Sequence, residues 1–227
     1  MQVRCANISQ ADNEMDTAII SRLLEPYAKL DEQRLRLTSI YIDLLLKWNA
    51  RINLTAVREA EEIVTRHFGE SFFAAEILRA QAVPQTAIDL GSGAGFPGIP
   101  LAMSILETRM TLIESNQKKS TFLREVIAAL KLKSAVVFTG RGEDCADQAG
   151  LVTMRAVERF EKALPTADRL AAPGGRLALM IGALQITPAK ALVKDVEWSQ
   201  PVIVPGGHSR VLLVGTKIVK VGQRPVF

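Results

Sequence analysis

The stretch that decides the fold runs from residue 87 to residue 100 and reads AIDLGSGAGFPGIP. A short apolar strand ends in an acid, Asp89, and a turn follows with glycine at three alternate positions, Gly91, Gly93 and Gly95. Prolines then mark the beginning of a helix. Glycine is needed where a chain turns sharply and a ligand approaches its backbone, and a helix N-terminus offers free N–H groups to an anion. The stretch therefore predicts a strand–loop–helix unit that binds a nucleotide cofactor.

Short apolar strands and helices alternate on the C-terminal side of this loop. The strands are predicted at 87–90, 110–113, 135–138, 151–154 and 176–180, and the helices at 97–106, 117–131 and 158–171. Such a βαβα succession gives a parallel sheet with right-handed crossovers. The chain ends differently, since the apolar segments 202–204 and 210–215 are joined by Pro-Gly-Gly-His, a hairpin signal. We predict a Rossmann-like, doubly wound α/β sheet that ends in an antiparallel hairpin.

The N-terminal side of the loop predicts helices instead of strands. Asp16 and Asp31 are placed to cap two of them, and the apolar residues of the second repeat at helical spacing up to Trp48. The helices are predicted at 17–25, from residue 31 to the loop at 48–55, near 58–67 and near 70–79. We therefore divide the chain into an N-terminal helical extension, residues 1–83, and a cofactor-binding domain, residues 84–227.

Two classes of enzyme compete for the glycine loop. Residues 93–98 satisfy G-x-G-x-x-G, and Glu114 follows where a dinucleotide fold places its ribose-binding acid, as in an NAD-dependent oxidoreductase. Asp89 at the strand end and the Pro-Gly-Gly turn at 173–175 are instead typical of class I methyltransferases, which use S-adenosylmethionine. A non-enzymatic RNA-binding module is a third alternative, against which the intact loop and Glu114 argue. The residues favour the methyltransferase.

Composition and charge restrict the class of protein further. The two cysteines, Cys5 and Cys145, have no metal-like spacing, and we expect no metal site. No apolar run approaches the roughly 18 residues of a membrane span, and the N-terminus lacks the apolar segment of a signal peptide, so we expect a cytoplasmic protein. Residues 84–227 carry 18 Lys and Arg against 12 Asp and Glu. This excess permits a polyanionic partner without proving one.

The sequence resembles a specific family, the bacterial small-subunit ribosomal RNA methyltransferase G, also called glucose-inhibited division protein B. The likeness runs from about residue 40 to the end. It is carried by Lys47-Trp-Asn49, Asn53-Leu-Thr55, Arg66-His67, Glu70-Ser71, Asp89 to Pro100, Glu114-Ser-Asn116, Lys118-Lys119, Phe122-Leu123, Gly140-Arg141, Glu143 and Arg155-Ala156. The run Gly-Phe-Pro-Gly-Ile-Pro is a much more specific pattern than the G-x-G-x-G of a general glycine loop.

The resemblance implies an activity and a partner. The activity is transfer of a methyl group from S-adenosyl-L-methionine to N7 of a guanine in 16S rRNA (position 527 in the usual rRNA numbering). The partner is 16S rRNA, in the small ribosomal subunit or an assembly intermediate of it, and we expect the protein to act as a monomer without a membrane. A Lys-Gly pair that the family commonly has after the fifth strand is replaced here by Met180-Ile-Gly182. If that lysine contacts RNA, another cation has to do so in this chain.

The loop pattern and the resemblance together give a set of candidate site residues. Arg155 and Arg141 are the candidate catalytic residues. The candidate cofactor-binding residues are Asp89, Gly91, Gly93, Gly95, Phe96, Glu114, Ser115, Asn116, Gly142, Glu143 and Arg155. Glu114 is expected on the ribose, because a carboxylate can accept hydrogen bonds from both hydroxyls, and Gly142 and Glu143 on the adenine. His67 is interpreted as a histidine that hydrogen-bonds between helices rather than as a catalytic base.

Overall fold

The computed structural model describes residues 15–157, 159–207 and 209–220 of the 227-residue chain. In these residues one mixed sheet carries helices on both faces. The predicted α/β class with a doubly wound sheet and an N-terminal helical part is confirmed. No described helix is long and apolar enough to cross a membrane.

The sheet is parallel over its first five strands and antiparallel at its end. The strands are β1 Thr86–Leu90, β2 Arg109–Glu114, β3 Ala135–Thr139, β4 Ala149–Arg155, β5 Ala171–Gly182, β6 Val196–Trp198, β7 Val202–Ile203 and β8 Arg210–Lys217. Their spatial order is β3-β2-β1-β4-β5-β8-β6, and β7 also pairs with β8. The predicted hairpin is confirmed, because β8 pairs antiparallel with β5 on one side and with β7 on the other. The strand order reverses between β1 and β4, and a crevice at the carboxyl ends of such strands is the usual ligand site of open α/β sheets.

Of the predicted helices, those after the glycine loop are somewhat shorter than the pattern indicates. The described residues form eight α-helices. They are α1 Thr17–Leu24, α2 Glu32–Asn49, α3 Ala60–Ile63, α4 Glu70–Gln81, α5 Gly98–Ser104, α6 Gln117–Ala129, α7 Phe160–Leu170 and α8 Ile186–Leu192. The predicted caps are correct, since the Asp16 carboxylate accepts a hydrogen bond from the Ala18 N–H and the Asp31 carboxylate from the Arg34 N–H. Each satisfies a backbone donor that the first helical turn leaves free.

The helical part differs from its prediction between residues 60 and 81. We expected two separate helices near 58–67 and 70–79, but α3, a π-helical segment Val64–Gly69 and α4 follow one another without a break. The π-helical segment inserts a wider turn that places His67 and Glu70 toward the sheet. Single-turn π segments of this kind occur frequently at functional sites.

Two further elements have no counterpart in the predicted order. Strand β6 pairs with β8 over Val196–Trp198, and α8 precedes it. Strand β5 begins at Ala171 instead of Arg176, because the Pro-Gly-Gly turn forms an irregular part of the strand where its register with β4 shifts. Strand β6 has only three residues, and the alternation of apolar and polar residues that identifies a strand is recognisable only over about four to eight. The Pro-Gly-Gly turn shows no such alternation.

The core has two parts, one on each face of the sheet. On one face the N-terminal helices, α5 and α6 share a single apolar cluster that includes Tyr41, Phe68 and Phe122. On the other face α7 and α8 pack through residues such as Leu164 and Ala189. The division of the chain at residues 83 and 84 stays a prediction.

A buried arginine, Arg176, connects the end of α4 to the regular part of β5 through hydrogen bonds. The Arg176 side chain donates hydrogen bonds to the Leu78 carbonyl at 3.2 Å, to Gln81 Oε1 at 2.7 Å and to the Ala82 carbonyl. The last carbonyls of a helix have no partner within the helix, and here the guanidinium supplies one. Burial lowers the pKa of Arg176, but its hydrogen bonds are made by the charged form.

We expect Arg176→Leu to lower the free energy of unfolding by about 2–4 kcal/mol, because it leaves buried carbonyls of α4 without a donor. Urea unfolding followed by circular dichroism measures the change. The control is Arg109→Leu, which alters an exposed arginine at the start of β2 and should change stability by less than about 0.5 kcal/mol. Equal effects of the two substitutions would show that Arg176 does not hold α4.

Candidate functional site

The glycine loop between β1 and α5 adopts backbone conformations that favour glycine. Gly91, Gly93 and Gly95 have φ values of +71°, +56° and +89°. The N–H groups of Gly91 and Ser92 both donate to the Ile113 carbonyl at the end of β2. The loop therefore lies across the carboxyl ends of β1 and β2, at the crevice that the sheet order predicts.

The buried side chain of Asp89 fixes the position of this loop through hydrogen bonds. Its side chain accepts hydrogen bonds from the Thr153 hydroxyl at 2.8 Å and from the Gly98 N–H at 3.2 Å, and the residue is 1% exposed. The carboxylate thus joins β1 to β4 and to the first residue of α5. Burial raises its pKa to about 6, although the donors Thr153, Ser92 and Gly98 act in the opposite direction.

Glu114 holds the loop from the side of β2. One carboxylate oxygen accepts from the Gly93 N–H at 2.8 Å and the other from the Asn116 N–H at 2.7 Å. Asn116 caps α6, since its side-chain oxygen accepts from the N–H groups of Lys118 and Lys119. Each oxygen of Glu114 keeps a further lone pair for a ligand.

A cavity of about 400 Å³ opens beside these residues, within the usual size of small-molecule sites. Its described lining is Leu90, Gly91, Ile113, Glu114, Ser115, Gly140, Arg141, Gly142, Glu143, Val157, Arg159, Lys162, Ala163 and Thr166. Six of the candidate residues are therefore brought together: Gly91, Glu114, Ser115, Arg141, Gly142 and Glu143. The other candidates lie outside this lining; they are Asp89, Gly93, Gly95, Phe96, Asn116 and Arg155.

One wall of the cavity comes from the β4–α7 loop and α7, and none of its residues is among the candidates from the sequence. Val157, Arg159, Lys162, Ala163 and Thr166 line this wall. The order of the strands contained the signal, because the loop after β4 neighbours the loop after β1 in a doubly wound sheet. Two residues with left-handed backbone, Ala156 and Arg159, occur in this segment. Non-glycine residues in that conformation are strained and cluster at ligand sites.

The loop that faces this wall is braced by Arg169. Its guanidinium donates to the carbonyls of Gly142 at 2.6 Å and Cys145 at 2.9 Å. Gly142 is required at its position, since a Cβ there would come within 2.5 Å of Leu90 and 2.8 Å of Thr166. Thr166 in turn donates to Glu143 at 3.2 Å.

Phe96 belongs to an aromatic cluster under the N-terminal helices rather than to the cavity. Its ring stacks on Tyr41 with centroids 5.3 Å apart and on His67 at 5.0 Å, and it meets Phe68 edge-on. The Tyr41 hydroxyl donates to the Ala94 carbonyl in the glycine loop. The helical part therefore shapes the glycine loop directly.

Arg155, at the end of β4, points toward the helical part and is held there by one nitrogen. Its Nη2 donates to the Arg66 carbonyl at 2.6 Å, contacts His67 Nδ1 at 3.1 Å and lies 3.2 Å from a Glu70 carboxylate oxygen. Arg210 of β8 reaches the other oxygen of Glu70 at 2.6 Å. Four elements thus meet at a polar cluster, defined here as His67, Glu70, Arg155 and Arg210, in which Glu70 is buried and the others are partly exposed.

His67 is a neutral member of this polar cluster. Burial, together with the charges of Arg155 and Arg66, lowers its pKa to about 3. The Nε2 atom lies 2.7 Å from the Thr55 hydroxyl, so the ring bridges two segments of the helical part. His67 is a hydrogen-bonding residue as interpreted, but its side-chain partners, Thr55 and Arg155, lie in a loop and in β4 and not in another helix.

The fold has relatives among solved methyltransferases. An O-methyltransferase from Bacillus cereus, solved in complex with SAH, superposes with a TM-score of 0.61 over 88% of this chain and 97% of that one, at 15% identity. A SAM-dependent methyltransferase from Aquifex aeolicus gives 0.57 over 78% and 98%, also at 15% identity. The protein therefore has the class I methyltransferase fold.

Sequence comparison is more specific than the fold. The family model of the rRNA small subunit methyltransferase G matches residues 34–208. Proteins named ribosomal RNA small subunit methyltransferase G are 35% identical in Roseiflexus castenholzii, over 87% of this chain and 88% of that protein, and 38% identical in Xanthomonas campestris pv. campestris, over 73% and 78%. The chain belongs to the family of the rRNA small subunit methyltransferase G, and the resemblance found in its motifs is confirmed.

We expect Gly95→Ala to destabilise the protein by about 3 kcal/mol or more. A Cβ at Gly95 would overlap the Tyr41 hydroxyl and come within 2.8 Å of Ile99, in addition to the strain of a positive φ. Gly93→Ala is the matched control, because its Cβ would meet only the Gly91 carbonyl at 3.8 Å and costs about 1–2 kcal/mol of backbone strain. Urea denaturation compares them, and equal losses would contradict the packing described for Gly95.

We expect Asp89 to make stability fall as the pH rises from about 4 to about 6. Its folded pKa is raised from 3.8 to about 6, so the folded state binds the proton more strongly than the unfolded state does. Protonation at low pH therefore adds at most about 3 kcal/mol to the free energy of unfolding. Comparing Asp89→Asn with the unsubstituted protein by thermal unfolding from pH 4 to pH 7 isolates this contribution. A stability difference between the two that does not vary with pH would refute it.

Proposed function

We propose that this protein transfers the methyl group of S-adenosyl-L-methionine to N7 of a guanine in 16S rRNA. The observation that carries the proposal is membership of the rRNA small subunit methyltransferase G family, whose model matches residues 34–208 and so covers the glycine loop and the cavity lining. The substrate is 16S rRNA within the small ribosomal subunit or an assembly intermediate, and the compartment is the cytoplasm. We also propose that the protein acts as a monomer.

The cavity suits an adenosine group. Glu114 is 8% exposed at its edge, and each oxygen has a lone pair left after binding a backbone N–H. A carboxylate in this position can accept a hydrogen bond from each of two neighbouring hydroxyls, as a ribose offers. Gly91 and Ser115 complete this side, and Gly142 with Glu143 forms the opposite end, where the adenine would lie.

The candidate residues outside the cavity lining act through the loop. Asp89, Gly93 and Gly95 determine its path, Phe96 anchors it to the helical part, and Asn116 caps the helix that follows Glu114. The N–H of Gly98 is already bound to Asp89. The first helical N–H, which the sequence analysis assigned to an anionic ligand, is therefore used by the protein.

The chemistry requires alignment more than proton transfer. Guanine N7 has an in-plane lone pair and no proton, so no base is needed to create the nucleophile. S-Adenosylmethionine supplies an electrophilic methyl group when bound. The contribution of the protein is to hold the base in line with that group, and such orientation is worth up to about 7–11 kcal/mol in favourable cases.

Arg155 is proposed as the residue next to the reacting groups. Its Nη2 is used by the protein, whereas its Nε and Nη1 have no hydrogen-bond partner among the described residues. These free N–H groups can each donate a hydrogen bond to a carboxylate, a phosphate or an acceptor atom of guanine. Arg141 is exposed at the cavity rim, and we assign it to the RNA side of the site.

Cations around the cavity can bind the phosphates of the RNA. Arg141, Arg159 and Lys162 line it, and Lys118 and Lys119 begin α6 nearby. Lysine and arginine bind nucleic-acid phosphates with an affinity that decreases as salt rises. Arg159 and Lys162 are the candidates for the cation that replaces the missing Lys-Gly pair after β5.

The test uses small ribosomal subunits from cells that lack this gene, incubated with the purified protein and labelled S-adenosylmethionine. We expect one labelled N7-methylguanine in 16S rRNA, and S-adenosylhomocysteine rather than NAD to bind in calorimetry. Glu114→Ala should weaken that binding at least about tenfold, the equivalent of about 1.4 kcal/mol.

Glu107→Ala is the matched control for this test, since Glu107 is an exposed acid in the turn before β2. It should leave cofactor binding and methyl transfer unchanged. Methylation of another atom or another RNA, or binding of NAD in place of S-adenosylhomocysteine, would overturn the proposed function.

A further inference from the structure

The polar cluster contains a carboxylate that the proposed chemistry does not use. Glu70 is 1% exposed, and its carboxylate is paired with two cations. One oxygen lies 3.2 Å from Nη2 of Arg155 and the other 2.6 Å from Nη2 of Arg210. A buried carboxylate is tolerated only when it is paired, and removal of one partner from such a pair is strongly destabilising. Glu70 therefore has a defined role toward these two arginines.

The elements that carry these residues show what Glu70 connects. Glu70 is the first residue of α4, directly after the π-helical segment, whereas Arg155 ends β4 and Arg210 begins β8. In the sheet, Arg155 pairs with Met180 and Arg210 with Gly182, and both partners lie near the carboxyl end of β5. The two arginines therefore extend from the same end of the sheet. One carboxylate from the helical part thus holds both.

The two guanidiniums repel each other, and Arg66 adds a third positive charge near Arg155. Burial lowers the pKa of Arg155, the charges of Arg210 and Arg66 lower it as well, and Glu70 acts in the opposite direction. His67 is neutral and provides no negative charge. Without Glu70, Arg155 would keep only the Arg66 carbonyl and the His67 ring as described partners, beside an unopposed Arg210. Its side chain would then be free to leave the orientation that these contacts fix.

We propose that Glu70 is a positioning residue for methyl transfer: its carboxylate holds Arg155 by Nη2, in the orientation that leaves the Nε–H and Nη1–H groups available to the reacting groups. This inference rests on the proposed function and deepens it. Glu70 touches neither the cofactor nor the RNA, and it acts through Arg155. Arg210 is the second anchor of the same carboxylate.

A double-mutant cycle on kcat/KM tests this assignment. Glu70→Gln keeps the size of the side chain and removes the charge, and we expect it to lower kcat/KM for methylation of small subunits at least about tenfold. In an Arg155→Ala background the same substitution should change kcat/KM less than about twofold, because a residue that acts through Arg155 has no effect once Arg155 is gone. A general loss of structure would instead reduce activity in both backgrounds.

Two further variants keep the test decisive. Glu76→Gln changes another acid of α4, one that pairs with Arg34 and Arg79 near the surface, and should leave kcat/KM within about twofold. If Glu70→Gln lowers the melting temperature so far that activity cannot be measured, the cycle is run with Glu70→Asp, which keeps the charge but is too short to span both arginines. We expect Glu70→Asp to lose activity only when Arg155 is present.

The outcomes separate this inference from the function on which it rests. If the unsubstituted protein does not methylate 16S rRNA, the proposed function fails. If it does, and Glu70→Gln either keeps full kcat/KM or loses as much in the Arg155→Ala background as in the unsubstituted one, the positioning role of Glu70 is overturned.

Discussion

The site depends on the buried carboxylate of Asp89. This one group receives a hydrogen bond from β4, through Thr153, and another from the first residue of α5, while its own strand leads into the glycine loop. The loop can therefore take only the path that crosses the end of β2, where Glu114 binds Gly93. Two acids thus fix the backbone, and one of them, Glu114, also faces the cavity. Asp89, which is 1% exposed, serves the structure alone, whereas Glu114, which is 8% exposed, also lines the cavity.

Much of this arrangement follows from local sequence. The spacing of Gly91, Gly93 and Gly95 after an apolar strand predicts a turn with positive φ, and all three residues adopt it. Alternating strands and helices predict the parallel sheet, because few topologies satisfy short, right-handed connections. Gly142 and Glu143 also reach the cavity as predicted. Their position depends only on the order of the strands, which the sequence determines.

The contacts between distant segments could not be predicted in the same way. Nothing near Arg155 in the sequence indicates that its guanidinium binds the Arg66 carbonyl, 89 positions away. The π-helical segment was missed because its residues have ordinary helical periodicity, and an inserted turn leaves no mark in that pattern. Such features depend on packing, which a single sequence does not display.

The hydrogen bond from the Tyr41 hydroxyl to the Ala94 carbonyl has a consequence for cooperativity. Tyr41 belongs to the apolar cluster that the N-terminal helices share with α5, α6 and one face of the sheet. Elements that share one cluster lose their packing together, as small cooperative units do. The helices and the glycine loop are in this sense one folding unit. A cofactor bound at the loop would therefore stabilise helices that it never touches, by the linkage between binding and folding.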